Sequence, residues 1–150
     1  MKIGPLKIAV LGQAGSWYAA DLSRAASARG HDLELFHFEN LATRSFKGRE
    51  LLRCGESSLA EYDAVVVRTM PPGSLEQVVL RMDLLARLET RGVRVVNPPK
   101  AVECAVDKYL TTARLNAADL PVPETWVCED EETAFEAFDA LGGDVVVKPL

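Results

Sequence analysis

Short runs rich in Val, Leu or Ile alternate with amphipathic stretches through the first two-thirds of the chain. No other feature constrains the fold as tightly. The runs are KIAVLG (residues 7–12), DLELFHF (32–38), YDAVVVRT (62–69) and VRVVN (93–97). Strands this apolar are buried on both faces, and helices between them act as crossovers, so the pattern predicts a parallel sheet with flanking helices. The first crossover, SWYAADLSRAASARG (16–30), places Tyr18, Leu22, Ala25 and Ala26 on one face, with Ser16 positioned to cap its start and Gly30 to end it. The second runs from about Ser74 to Thr90, after the Pro71-Pro72-Gly73 break. Between them, RSFKGRELLRCG (44–55) reads as a small hairpin turning at Lys47-Gly48.

The pattern changes after Asn97. KAVECAVDKYLTTARLNAADL (100–120) is helical with no strand inside it, and PVPETWVC (121–128) is extended because each proline restricts the residue before it. Asp130 caps a further helix with Glu131 and Glu132 in its first turn and an expected apolar stripe of Ala134, Phe135, Phe138 and Leu141. The chain then closes on GDVVVKPL, a β-branched run expected to form a buried strand with Lys148 at its end. The sequence thus divides into a Rossmann-like region, residues 1–97, and a second region, 98–150.

Charge and composition exclude several classes. A net charge of −5 argues against a surface built for nucleic acid. No run of about twenty apolar residues is available to span a membrane. Cys54, Cys104 and Cys128 share no metal-type spacing, and with His31 and His37 alone a zinc site is not expected. Scattered thiols suit a reducing cytoplasm. A dinucleotide fingerprint starting at Gly12 fails, because its second and third glycines would be Ala14 and Trp17, and Glu39 alone is weak support for a ribose contact. A phospho-receiver fold needs acids after the first strand, where this chain has Gly12, Gln13 and Ala14.

Three residues remain as candidates. Arg68 emerges at the carboxyl end of DAVVV, where open α/β sheets collect ligands, and it could grip a carboxylate; equally it could pair with a neighbouring acid. Lys108, early on a helix, and Lys148, ending a triple-valine strand, would suit a polyanion such as a nucleotide triphosphate if they converge; singly, each could be a solvated surface lysine. The helix from Ser74 is apolar on two faces. Leu75, Val78, Val79, Met82, Leu85 and Ala86 are expected against the sheet, leaving Leu80, Leu84 and Leu88 for a homodimer contact or for cover by the hairpin or the next domain.

The succession NPPKAVECAVDKYLTTARLNAADLPVPETW…GGDVVVKPL resembles the entry into the ATP-grasp domain of RimK-like carboxylate–amine ligases. The stretches before it, SWYAADLSRAASARGHDLELF and YDAVVVRTMPPGSLEQVVLRMDLL, are similar to that family's pre-ATP-grasp domain. RTMPPGSLEQ looks most like the branch of glutamate ligases acting on tetrahydromethanopterin-type cofactors. The resemblance implies that Lys108 and Lys148 contact ATP, with Mg²⁺ held by ligands beyond residue 150. It implies a parent enzyme that activates a carboxylate as an acyl phosphate and joins it to the amine of glutamate or a similar amino acid, on a small-molecule or peptide acceptor. The metal ligands and a glycine-rich loop over the phosphates would lie past Leu150, so residues 1–150 alone are expected to be inactive. The alternative is a non-catalytic Rossmann-like binding or oligomerisation module.

Overall fold

The structure is a computed structural model that describes residues 4–149. Its first compact unit runs to Ala101 and its second begins at Val102.

In the first unit, β1 (Lys7–Leu11) leads through α1 (Trp17–Ser27) into β2 (Asp32–Phe36). An antiparallel insertion follows: β3 (Leu41–Phe46), β4 (Arg49–Cys54) and the short β5 (Ser57–Ser58). The chain then returns through β6 (Ala64–Val67), α2 (Leu75–Thr90) and β7 (Arg94–Val96). β1, β2, β6 and β7 form a parallel sheet in the order β2-β1-β6-β7, as the alternation predicts. From β1 the chain first moves outward to β2, then recrosses to β6 and continues to β7. The direction of winding therefore reverses between β1 and β6, and right-handed crossovers running opposite ways put α1 and α2 on opposite faces of the sheet.

The core lies mainly on the α2 side. Ala9 and Leu11 of β1, Val65 of β6 and Val95 of β7 pack with Leu84, Leu85 and Leu88 of α2. Val10, between the two β1 residues, points to the other face and is equally buried. Leu52 and Cys54 of β4 and Leu59 after β5 join the same cluster, so the antiparallel insertion is a cover over α2. Glu50 fastens that cover, accepting from Arg87 Nε of α2 at 3.0 Å and from Nη2 of Arg91, the residue that caps the end of α2, at 3.1 Å.

This corrects the reading of α2. Leu84 and Leu88 are 4 % and 1 % exposed inside the unit's own core, so they are not a dimer face. Of the three leucines only Leu80 is exposed. Leu75 and Val79, assigned to the sheet, lie outside, and Arg81 is buried in their stead. The hairpin supplied a second apolar surface, which rotated the buried sector of the helix. The α2 start is a full capping box: Ser74 Oγ accepts from the Gln77 amide and Gln77 Oε1 accepts from the Ser74 amide. Ser16, by contrast, makes no side-chain cap for α1 and donates to Gln13 O at 2.8 Å. The hairpin turn falls at Lys47 and Gly48, both at positive φ (48° and 73°), the conformation that tight two-residue hairpin loops require.

The second unit is helical. α3 (Pro99–Val106) straddles the boundary, and Asp107 breaks it from α4 (Lys108–Ala117) by accepting from the Leu110 amide at 2.8 Å. α5 (Glu131–Ala140) is capped by Asp130 as expected, with 2.8 Å bonds from the amide and hydroxyl of Thr133. Its apolar stripe differs from the expectation: Ala137 is buried, whereas Phe135 is 62 % and Phe138 42 % exposed. The terminal run is not a strand either. Residues 144–149 pair with no strand among the described residues, and Val146 and Val147 are 82 % and 87 % exposed; Leu150 lies outside the described residues. A strand exists only where a neighbour completes its hydrogen bonds, and composition alone cannot provide one.

Candidate functional site

The reversal between β1 and β6 makes a topological switch point at the carboxyl ends of those strands, the place where the crevice of an open α/β sheet binds ligands. Two backbone bonds fix it. Arg68 N donates to Leu11 O at 2.9 Å, and Gly12 N donates to Phe36 O at 2.9 Å. The turn after β1 therefore lies beside the residue that leaves β6. A Cβ added at Gly12 would stand 3.5 Å from Arg68 Cβ and 3.6 Å from Tyr18 Cε2, in ordinary contact with both side chains.

Those side chains form a stacked group. The Arg68 guanidinium lies 4.9 Å from the centroid of the Tyr18 ring, within cation–π range. Tyr18 Oη and Thr69 Oγ1 are 2.8 Å apart, tying the first turn of α1 to the loop after β6. Trp17 meets Tyr18 edge-on at 6.1 Å and is 78 % exposed. Hydrogen bonding from Ser16, then from Thr69, holds the Tyr18 phenol below its ordinary pKa against the opposing effect of desolvation, with smaller help from the Gln13 backbone and, last, the Arg68 charge. Arg68 is exposed and forms no ion pair among the described residues, which leaves the surface-pair reading without a partner. A stacked, planar guanidinium with open edges is suited to a carboxylate, which it can take through two parallel hydrogen bonds.

The loop carrying Arg68 is anchored from below. Arg81 of α2 is 6 % exposed, donates from Nη1 to Pro71 O at 2.6 Å, and lies 5.9 Å from the Phe38 ring centroid. No carboxylate pairs with it among the described residues. Gly73 permits this packing, since a Cβ there would sit 2.9 Å from Gln77 Oε1 and 3.0 Å from Arg81 Nη1.

The two lysines lie in the second unit. Lys108 is the first residue of α4, directly after the capping Asp107. A cation there opposes the helix dipole, whose positive end favours anions. Lys148 follows the exposed valines and is itself exposed. Neither lysine forms an ion pair among the described residues, and no contact joins them. No cluster of three or more His, Cys, Asp or Glu residues able to hold a metal is present among the described residues, and no helix there is long and apolar enough to cross a membrane.

Sequence reasoning singles out Arg68 as a candidate and does not single out Tyr18, Thr69 or Arg81. It places Tyr18 on the apolar face of the first helix and draws nothing from Arg81. A capping box followed by an arginine four residues beyond its glutamine, aimed back at a Pro-Pro-Gly turn, is the signal that could have drawn attention to it.

Residues 6–102 match the RimK PreATP-grasp domain. Over 139 residues the chain is 35 % identical to the tetrahydromethanopterin:alpha-L-glutamate ligase of Methanosarcina acetivorans, covering 89 % of this chain and 42 % of that protein. It is 38 % identical over 102 residues to the glutathione synthetase of Bordetella pertussis, covering 68 % of this chain and 30 % of the relative. The chain thus spans less than half the length of either. Among solved structures, the RimK domain protein ATP-grasp from Sphaerobacter thermophilus superposes with a TM-score of 0.69 at 28 % identity, over 89 % of this chain and 45 % of that one. The ATP-grasp ligase PsnB, complexed with a minimal precursor, gives 0.64 at 22 % identity over 91 % of this chain and 51 % of its own, a likeness of fold. With the switch-point crevice and the β2-β1-β6-β7 sheet, these matches place the chain in the RimK pre-ATP-grasp family.

Proposed function

We propose that residues 1–150 are the N-terminal portion of an ATP-dependent carboxylate–amine ligase, with the first unit as the pre-ATP-grasp domain and residues from about 98 onward opening the ATP-grasp domain. The observation that carries this reading is the extent of one similarity: the likeness to a glutamate ligase runs through 139 residues and so continues past the boundary at Ala101 into the second unit. ATP would supply the phosphoryl group that turns a carboxylate into an acyl phosphate, open to attack by the amine of glutamate or a similar amino acid. Two cations would be available to a polyphosphate. Lys108, at the start of α4, and Lys148, on an exposed segment, form no ion pair among the described residues. Cations of this kind neutralise charge on the phosphoryl oxygens, and Mg²⁺ held by ligands outside residues 1–150 would complete the task. Arg68, stacked on Tyr18, would hold the carboxylate of the acceptor, a small molecule or peptide. In this reading residues 1–150 bind ATP weakly and do not turn over. The exposed Val146 and Val147 would pair with strands of the remaining ATP-grasp domain.

Steady-state kinetics of the full-length parent test the reading. Lys148→Ala is expected to raise the KM for ATP and lower kcat by at least about tenfold, with the melting temperature unchanged. Arg68→Gln should instead raise the KM for the carboxylate acceptor. Unaltered ATP kinetics in the lysine variant would remove that residue from the site. A parent with no ATP-dependent ligation would leave the alternative, a non-catalytic binding module whose ligand enters the Arg68 crevice.

A further inference from the structure

The antiparallel insertion has two unlike faces. Its register pairs Leu41 with Cys54, Thr43 with Leu52 and Ser45 with Glu50 on one side, and Ala42 with Arg53, Arg44 with Leu51 and Phe46 with Arg49 on the other. The first side is the cover over α2 already described. The second faces away from the core and is chemically odd for its surroundings. It presents Arg44, Arg49 and Arg53 around Phe46 and Leu51, which are 58 % and 46 % exposed, in a chain whose net charge is −5. No acid belongs to that face of the paired strands. The nearest is Glu56 in the following turn, 3.7 Å from Arg53. Arg44 and Arg49 have no ion-pair partner among the described residues, and Ala42, Arg44, Leu51 and Arg53 line a shallow depression that ends at Glu56.

The same insertion has a free edge. The strand order is β3-β4-β5, so β3 has a partner on one side alone and offers a row of backbone donors and acceptors on the other. Such an edge accepts an added strand, with main-chain bonds supplying affinity and alternate side chains supplying specificity. A strand laid beside β3 would set every second side chain next to Ala42, Arg44 and Phe46 in turn.

We propose that this edge and its basic outer face form a docking site for an acidic, extended peptide segment of a partner protein, with an acid beside Arg44 and apolar residues two positions to either side. Acid meets guanidinium at Arg44 and reaches toward Arg53 across the sheet, while the apolar neighbours cover Phe46 and Ala42. A nucleic acid fits less well. The cations lie on one narrow ribbon of an acidic chain, and phosphate binding needs a broad positive surface. The site is separate from the Arg68 crevice, and its test involves no ATP, so it stands or falls apart from the ligase reading.

The probe is a fluorescein-labelled VTETVTETV peptide, titrated with residues 1–150 and followed by fluorescence anisotropy at low salt. Saturable binding is expected, weakening as salt rises. VTQTVTQTV should bind at least about tenfold more weakly, and the doubly substituted R44E/R53E protein should lose at least about tenfold in affinity for the glutamate peptide while keeping its circular dichroism and melting temperature. R44Q, a milder change at an exposed position, should lose part of that. Slower hydrogen exchange at β3 amides on saturation would support strand addition. Equal binding of the two peptides, an unaffected R44E/R53E protein, unchanged exchange at β3, or tighter binding of single-stranded oligothymidylate than of the glutamate peptide would each overturn the proposal.

Discussion

The two units draw on similar proportions of apolar residues and use them differently. In the first, strands from both ends of the sequence close around α2. Leu11, Leu52, Leu59, Leu85 and Leu88 are almost fully buried although they come from four different segments. In the second, Ala137 is the only buried apolar residue among the described residues, while Val106, Tyr109, Leu120, Phe135, Val146 and Val147 are more than half exposed. The caps of the second unit are nevertheless well made: Asp107 and Asp130 each satisfy the amide three residues on. Side-chain helix caps are therefore made in both units, and extensive tertiary burial in one. Helix boundaries follow from local chemistry, but stability comes from the long-range partner.

The largest test of this contrast is a pair of truncations. Leu85→Ala removes a fully buried side chain at the centre of the first unit and should cost about 2–5 kcal/mol in urea unfolding. Phe135→Ala removes a larger side chain that is mostly solvated, and it should change stability by less than about 0.5 kcal/mol. If the Phe135 variant were as damaging as the Leu85 variant, the second unit would hold a packed aromatic core in solution and the contrast would fail.

A smaller effect sharpens the comparison by asking what a buried cation does. Arg81 combines a packed stem, a hydrogen bond to Pro71 O and an aromatic face, with no acid among the described residues to neutralise it. Arg81→Ala is expected to destabilise by about 2–4 kcal/mol, through the lost volume and the carbonyl left without its donor. Arg81→Met keeps much of the stem and should cost less. Arg114, the basic residue in the last turn of α4, is exposed, and its replacement by Ala should stay within about 0.5 kcal/mol. Equal midpoints for the Arg81 and Arg114 variants would show that the Arg81 guanidinium is solvated and does not anchor the loop.

These residues also mark how far the sequence was legible. The parallel strands were readable because each is a compact β-branched run between helix signals, and the hairpin turn because Lys47-Gly48 sits between strand-like segments. The inner face of α2 was not readable. Its apolar residues wrap around the helix, and which sector is buried depends on the hairpin that packs from outside the sheet. GDVVVKPL failed for a related reason: a valine run states a preference for pairing, and pairing needs a neighbour. Of the site, Arg68 was visible from its position after β6. Tyr18 and Thr69 became neighbours only through the winding that brings α1's first turn to that strand end.

The smallest expected effect isolates that crevice. Tyr18 and Tyr62 belong to the same unit but sit in opposite environments. Side-chain hydrogen bonds and the Arg68 charge lower the Tyr18 pKa, whereas burial and the bond donated to Glu34 push Tyr62 up to about 12. In an ultraviolet titration Tyr18 should ionise before Tyr62, and Tyr18→Phe should remove the early component and leave the late one. The consequences for stability have opposite signs. As pH rises past the ordinary value of 10.0 toward about 12, an unfolded chain releases the Tyr62 proton that the folded chain retains, so Tyr62 makes the fold less stable in that window. Tyr18 does the reverse: the folded chain releases its proton first, which favours the fold as pH climbs through the lowered value toward 10.0. Its exposure keeps that contribution slight, so Tyr18→Phe should leave the melting temperature at neutral pH nearly unchanged. Arg68→Gln should raise the Tyr18 pKa by a smaller step than Thr69→Val, because the charge ranks below the hydrogen bond among the causes. If Arg68→Gln left the Tyr18 titration untouched, the guanidinium would not be stacked on that ring in solution, and the crevice would lose the preorganised cation on which the proposed carboxylate role depends.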